Sequence, residues 1–379
     1  MYLSHSARDV TPFFAMEILE RAQELERAGA DIVHLEVGEP DFNTPACVER
    51  AASEALRRGE THYTHSLGLW ELRAEISRYY RGRYGVEVEP ERILVTSGTS
   101  GGLALLMALL LDPGDEVLLP DPGYACYPNF VRAFHGQPRY FPLDPACGYR
   151  CDAAEVRRRL TRQTRALLVN SPANPTAAVQ SRETLAELAE LGVPVISDEI
   201  YHGLEYGTRA PSMLEVTDRC FVLDGFSKRY AMTGWRIGWL VAPPESVAPL
   251  QRLQQNLFIC AGSVAQHAAL AALREAEPDA REMLAHYTRR REVLLQGLES
   301  LGLRVPATPL GAYYALADAR HLHPDSLALA HRILEEAHVG VTPGIDFGSR
   351  AEGHLRFSFA SALPRIEEGL RRLGEWMER

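Results

Sequence analysis

VPVISDEIY at residues 193–201 and CFVLDGFSKRYAMTGWRIGW at 220–239 carry the pattern from which the architecture follows. Short apolar and β-branched runs at 193–197 (VPVIS), 220–227 (CFVLDGFS) and 236–242 (RIGWLVA) read as strands. The first two end on reactive side chains: Asp198 and Tyr201 after the first, Ser227 and Lys228 at the end of the second, with Arg236 a little further on. Lys228 is the only lysine among 40 basic residues, the other 39 being arginines. Arg replaces Lys wherever a solvated positive charge suffices, but it cannot lose its proton to become an amine nucleophile. The surviving lysine is therefore a candidate for amine chemistry. Chance survival in an Arg-biased chain is the alternative, and composition weighs the two equally.

Working outward, further strands are expected at ILVTS (93–97), EVLLP (116–120) and ALLVN (166–170), separated by helical patterns at 101–111, 153–160 and 182–192. Strands alternating with helices indicate a mainly parallel, doubly wound sheet covered on both faces. The last two strands follow each other closely, so an antiparallel edge is expected there. Helices are also expected at 13–29, through CVERAASEALRRG and through ELRAEISRYYRGRYG. Beyond about residue 245 the pattern becomes long helices, and the chain closes as a small α+β unit. The expected division is a large domain over 45–285 and a small one built from both chain ends, 1–44 and 286–379.

Bulk properties narrow the function. A net charge of −10 argues against a sequence-independent grip on nucleic acid or on an anionic membrane. A P-loop needs Lys followed by Ser or Thr, whereas Lys228 precedes Arg229. The six cysteines form no C-x-x-C pair, which reads as free thiols in a reducing cytosol, and no metal site is expected. His62 and His65 lack a carboxylate partner motif. The start, MYLSHSARDV, shows no signal-peptide pattern, and the longest apolar run, Leu103 to Leu111, is too short for a bilayer and fits a buried helix.

Ligands of an open parallel sheet sit outside the carboxyl ends of its strands, so the residues just after each strand matter most. ILV is followed by Thr96-Ser97-Gly98-Thr99-Ser100-Gly101-Gly102, small residues opening a helix, a phosphate-binding pattern. EVLLP is followed by a turn projecting Tyr124, and ALLV by the polar turn Asn170-Ser171-Pro172-Ala173-Asn174-Pro175. Each has a plain structural alternative as turn, cap or surface. Together they place an amine, a carboxylate, an aromatic ring, an amide, a phenol and a phosphate cradle at one sheet edge, the set that a phosphorylated pyridine aldehyde requires.

The run SPANP, SDEIY and SKRYAMTGWRIGW closely resembles the class I/II aminotransferases of the fold-type I pyridoxal-phosphate enzymes, and LEVGEPDF, HYTHSLGLWELR, TSGTSGG, TPGIDFG and HLRFSFA extend the resemblance over nearly the whole chain. It implies an α/β fold with a seven-stranded, mainly parallel sheet plus a small α+β domain, and a cytoplasmic homodimer. It implies pyridoxal 5′-phosphate held by Lys228 as a Schiff base, the internal aldimine, with Lys228 also shuttling a proton. Asp198 would pair with the pyridine nitrogen, and Asn174 and Tyr201 with the ring hydroxylate. Tyr124 would stack on the ring. Thr99, Ser100, Ser227 and Arg236 would hold the phosphate, with Tyr63 reaching it from the partner subunit. Arg356, helped by Gly38 and Asn174, would clamp the substrate carboxylate.

Plainer roles stand beside some of these: Tyr63 packing beside Trp70, Ser100 capping its helix, Gly38 serving only its turn, Arg356 in a surface ion pair. The family usually has Gly where this chain has Ala177, which should alter the local turn. The implied reaction is ping-pong transfer of an amino group from an L-amino acid to a 2-oxo acid. Candidate side-chain pocket residues, by resemblance, are Phe14, Leu67, Phe258, Ile259 and Tyr313, and NLFICAGS (256–263) contains no Arg. A neutral, apolar or aromatic donor is therefore expected. A C–S β-lyase on the same scaffold is the alternative, and a non-catalytic cofactor-binding regulator a more distant one.

Overall fold

The computed structural model describes residues 3–379. Its central sheet has seven strands in the order Ile93–Thr96, Gly238–Val241, Cys220–Gly225, Val195–Asp198, Thr164–Asn170, Glu116–Asp121 and Gln137–Pro142. Gly238–Val241 runs antiparallel to both of its neighbours and the other pairs are parallel. The antiparallel strand thus lies inside the sheet, not at its edge as expected, because Ile93–Thr96 pairs along its outer side. The outermost strand, Gln137–Pro142, has no apolar run to announce it: it is half exposed and carries Pro138 and Pro142, tolerable where one side of the ladder is open.

Interior strands are buried on both faces, and adjacent residues serve opposite cores. Val95, Leu167, Val222 and Trp239 join one cluster, while Leu94, Leu168, Leu223 and Leu240 join the other. The latter is covered by the helix Gly98–Leu110, where Leu103, Leu105, Leu106 and Met107 are buried. A third core gathers Ile18, Val33 and Leu35 with Tyr287, Leu294, Tyr314, Phe357 and Ile366. Within it, His354–Ser358 lies antiparallel between Thr342–Pro343 and Tyr314–Asp318, and Val33–His34 pairs with Val339–Gly340.

The helical pattern after residue 245 breaks twice, giving Pro244–Leu257, Ser263–Glu275 and Glu277–Ser300. The first break falls at Ile259, which adopts a left-handed φ of 65°. His62 lies outside any helix or strand, and so does His65, whose Nδ1 accepts the Leu67 N–H. Among the described residues no helix is long and apolar enough to cross a membrane.

One close approach ties the sheet to the helix start. Gly238 faces Gly225 across the ladder, and a Cβ at Gly238 would come within 2.9 Å of Asp224 O, 3.1 Å of Gly98 C and 3.2 Å of Thr99 N. Those atoms are backbone and cannot rotate away. Gly238→Ala is expected to cost about 1–3 kcal/mol in chemical denaturation, as overpacking does. Gly82→Ala, in the helix Trp70–Tyr84 with no atom near the added methyl, should change stability by less than about 1 kcal/mol, in the stabilising direction.

Candidate active site

A cavity of about 290 Å³ opens at the carboxyl ends of the central strands. Gly38, Thr99, Ser100, Tyr124, Asn174, Asp198, Tyr201, Ser227, Lys228, Arg236 and Arg356 all line it. Parallel register explains part of this convergence: Asn170, which also lines the cavity, stands opposite Asp198 as the last residue of its strand. Asn170 Nδ2 donates to Asp198 O, and its Oδ1 accepts the Asn174 N–H, so one amide braces the turn that carries Asn174.

Lys228 Nζ donates to Gly38 O at 2.7 Å. Burial lowers its pKa to about 8; Glu39 opposes that shift, and Arg356 and Arg236 reinforce it. Asp198 is 4% exposed. Burial pushes its carboxyl up to about 6, against the pull of the Tyr127 hydroxyl, which donates to Oδ2 at 2.7 Å, the Ile200 N–H and Lys228. Tyr201 and Tyr314 share a hydroxyl contact of 2.9 Å, and burial holds the Tyr201 phenol well above its usual range.

Arg356 sits on His354–Ser358 at 2% exposure, which rules out the surface ion pair. Its Nη1 donates to Asn174 Oδ1 at 2.9 Å, and its Nη2 to Thr342 Oγ1 at 3.0 Å and to Glu36 O. Its guanidinium lies 4.3 Å from the Tyr314 ring centre and 4.8 Å from that of Phe347. Among the described residues, buried Arg356 Nε has no partner. Gly38 does more than serve a turn: a Cβ there would fall 1.8 Å from Tyr314 Oη.

The helix Gly98–Leu110 starts without a side-chain cap, so Ser100 does not cap it, and Thr99 and Ser100 of its first turn line the cavity. A Cβ on Gly98 would come within 3.0 Å of Arg236 Nη2, and Arg236 itself takes a left-handed φ of 52°. Ala177 keeps the left-handed conformation at φ 55° that a glycine would favour, and its carbonyl accepts the N–H groups of Leu310 and Gly311. The turn thus carries its methyl group in the left-handed region.

The donor set fits pyridoxal 5′-phosphate. An uncapped helix start with Ser227 and Arg236 suits a phosphate dianion, a buried carboxylate suits a protonated ring nitrogen, and a primary amine suits an aldehyde.

Tyr63 is not brought to the cavity; it is 79% exposed and does not pack away. Phe14, Leu67, Phe258, Ile259 and Tyr313 also do not line it. The apolar wall comes instead from Phe13, Ala15, Met16, Val37, Leu103 and Ile200. Tyr313 is fully buried and spends its hydroxyl on Gly38 O. Sequence reasoning overlooked Tyr127 and Tyr314. Tyr127 lies three residues past Tyr124 on the helix Tyr127–Ala133, a spacing that could have flagged it, whereas nothing local distinguishes Tyr314.

The sequence pattern of the family "Aminotransferase class I and II" matches residues 30–373. The chain is 38% identical over 382 residues to a (5-formylfuran-3-yl)methyl phosphate transaminase of Methanocaldococcus jannaschii, covering 100% of both chains. It is also 38% identical over 388 residues to an aspartate/prephenate aminotransferase of Thermus thermophilus, covering 100% of this chain and 99% of that one. The crystal structure of an aminotransferase from Mycobacterium tuberculosis superposes with a TM-score of 0.95 at 37% identity, covering 100% of this chain and 99% of the other.

With one lysine in the chain, apoprotein labelled with ¹⁵N-lysine should show a single Nζ resonance titrating near pH 8, not near the ordinary 10.5. The unfolded chain holds that proton between the two values and the folded chain does not, so stability relative to Lys228→Met should rise with pH across the 8 to 10.5 window. A midpoint near 10.5 would contradict the buried placement of the amine.

Proposed function

The chain belongs to the aminotransferase class I and II family of enzymes, and on that premise we propose that it transfers the amino group of a neutral, apolar or aromatic L-amino acid to a 2-oxo acid, the two substrates using one site in turn. The observation that carries this reading is the convergence of the only lysine amine, a buried carboxylate and a buried guanidinium on one cavity. Family members use pyridoxal 5′-phosphate; when bound, it supplies an aldehyde that condenses with amines and a pyridinium ring that withdraws the electrons left when Cα loses its proton.

In this reading Thr99, Ser100, Ser227 and Arg236 bind the phosphate. Asp198 holds the ring nitrogen in its protonated form, and the need is mutual, since an ionised carboxylate at 4% exposure gains from a cationic partner. Tyr127 keeps that carboxylate aimed. Tyr124 covers the ring, and Asn174 and Tyr201 meet its oxygen. Arg356 binds the α-carboxylate; Asn174, Thr342 and the Glu36 carbonyl hold it oriented before substrate arrives. The Lys228 amine, its basicity lowered by burial, moves the proton at Cα near neutral pH.

Relatives of equal identity bear different substrate names, so the donor class is argued from the lining. Apart from Lys228, Arg236 and Arg356, no cation lines the cavity, while Glu36 and Glu39 do. A second substrate carboxylate would find no partner among the described residues, and the apolar wall suits a hydrocarbon or aromatic side chain. The proposal includes a homodimer: exposed Tyr63, Trp70, Leu257, Phe258 and Ile259 suit a face between two copies, from which Tyr63 would reach the partner's phosphate site. Six unpaired cysteines suit a cytosolic setting.

Borohydride reduction should fix pyridoxal phosphate to the wild-type chain and fail with Lys228→Ala, and loss of the yellow aldehyde band in a donor screen should rank phenylalanine, methionine and leucine above aspartate. A preference for aspartate would overturn the donor class, and ammonia release in place of transfer to the 2-oxo acid would indicate elimination. Arg356→Ala should lower kcat/KM for every amino acid by about 100-fold or more, consistent with loss of a charge-assisted pair worth about 3 kcal/mol, measured in steady-state assays.

A further inference from the structure

The helix Phe14–Arg27 begins without a side-chain cap of its own. Its acceptors come from the far end of the chain: Asp346 Oδ1 accepts the Phe14 N–H at 3.0 Å, and Oδ2 accepts the Ala15 N–H at 3.1 Å. A carboxylate there satisfies two orphan donors and meets the favourable end of the helix dipole. Asp346 stands on the turn Gly344–Phe347, directly after Thr342–Pro343, whose Thr342 braces Arg356.

The turn it caps is a wall of the cavity. Phe13, Ala15 and Met16 line it, and the Phe13 ring meets Tyr124 edge-on with ring centres 6.0 Å apart. Asp346 itself does not line the cavity. The other ties near this segment, between Thr11 and Asn129 and from Arg21 to Glu335, are exposed to solvent. The half-buried carboxylate, with two backbone N–H groups on it, is therefore the main polar restraint on where the apolar wall stands.

We propose that Asp346 is a positioning residue for donor specificity, its carboxylate fixing the first turn of Phe14–Arg27 so that Phe13, Ala15 and Met16 receive the side chain of a long apolar or aromatic amino acid. This rests on reading the cavity as the amino-donor site. A donor such as alanine, with a single methyl, makes little use of that wall, whereas phenylalanine depends on it. Losing the cap should therefore discriminate by side-chain size while leaving the amine and carboxylate contacts in place.

The test uses the holoprotein with Asp346→Ala and Asp346→Asn, assayed with phenylalanine and alanine against 2-oxobutyrate. Asp346→Ala should raise KM for phenylalanine about tenfold while changing KM for alanine, and kcat for both, less than about threefold; Asp346→Asn, whose amide oxygen still accepts, should fall between. Equal losses on both donors, or no change on either, would overturn the proposal. Amide hydrogen exchange gives a readout independent of turnover: in Asp346→Ala the N–H groups of residues 14–17 should exchange at least about tenfold faster, with those of 99–103 unchanged. Unaltered exchange at 14–17 would also overturn it. If wild-type protein transaminates neither donor, the proposed reaction fails, while the exchange result still decides whether Asp346 holds the wall. If Asp346→Ala does not fold, Asp346→Asn carries both comparisons.

Discussion

A guanidinium removed from water must have its charge and its donors met locally, and the arrangement around Arg356 reflects that constraint. Leaving a buried charge without its partners costs about 3–5 kcal/mol. The partners come from four separate parts of the chain: the Glu36 carbonyl, the Asn174 amide, the Thr342 hydroxyl and the ring faces of Tyr314 and Phe347. One cation thereby joins the turn after a central strand to the antiparallel sheet built late in the chain and to the segment near its beginning. Among the described residues its Nε has no partner, so its satisfaction there is incomplete.

The same reasoning applies across the cavity. Asp198 and Lys228 are both driven toward neutrality by burial, the acid upward and the amine downward. A site holding a poorly solvated carboxylate, an amine of reduced basicity and an uncapped helix start carries three unmet electrostatic demands. A ligand with a protonated ring nitrogen, an aldehyde and a phosphate answers all three. Binding and reactivity thus come from one source, the exclusion of water by the surrounding cores.

Much of the fold was legible because its signals are local. Strands buried on both faces show as unbroken apolar runs, whether paired parallel or antiparallel, and six of the seven were visible for that reason. Gln137–Pro142 was not, because an edge strand needs no apolar run and here tolerates two prolines. The position of Gly238–Val241 inside the sheet was also hidden, since adjacency in sequence says nothing about which strand closes the outer side. In the site, residues that directly follow strands were readable, whereas Tyr314 depends on a contact with Tyr201 across 113 positions. The apolar wall was hidden for a related reason: Phe13 and Met16 flank a helix start whose N–H groups meet Asp346, 332 positions further on.

The sequence by itself determined the chemistry. A single lysine at a strand end, with a carboxylate, an amide, a phenol and a small-residue helix start after neighbouring strands, specifies which reactive groups meet, because parallel strands deliver their carboxyl ends to one edge. Tertiary structure alone decided how those groups behave and what they face. Burial sets the basicity of Lys228 and Asp198, the approach of Tyr314 makes Gly38 obligatory, and the apolar wall brings residues 13–37 beside Leu103 and Ile200. Each of these depends on distances between residues far apart in the chain, and such distances exist only after the cores have closed around them.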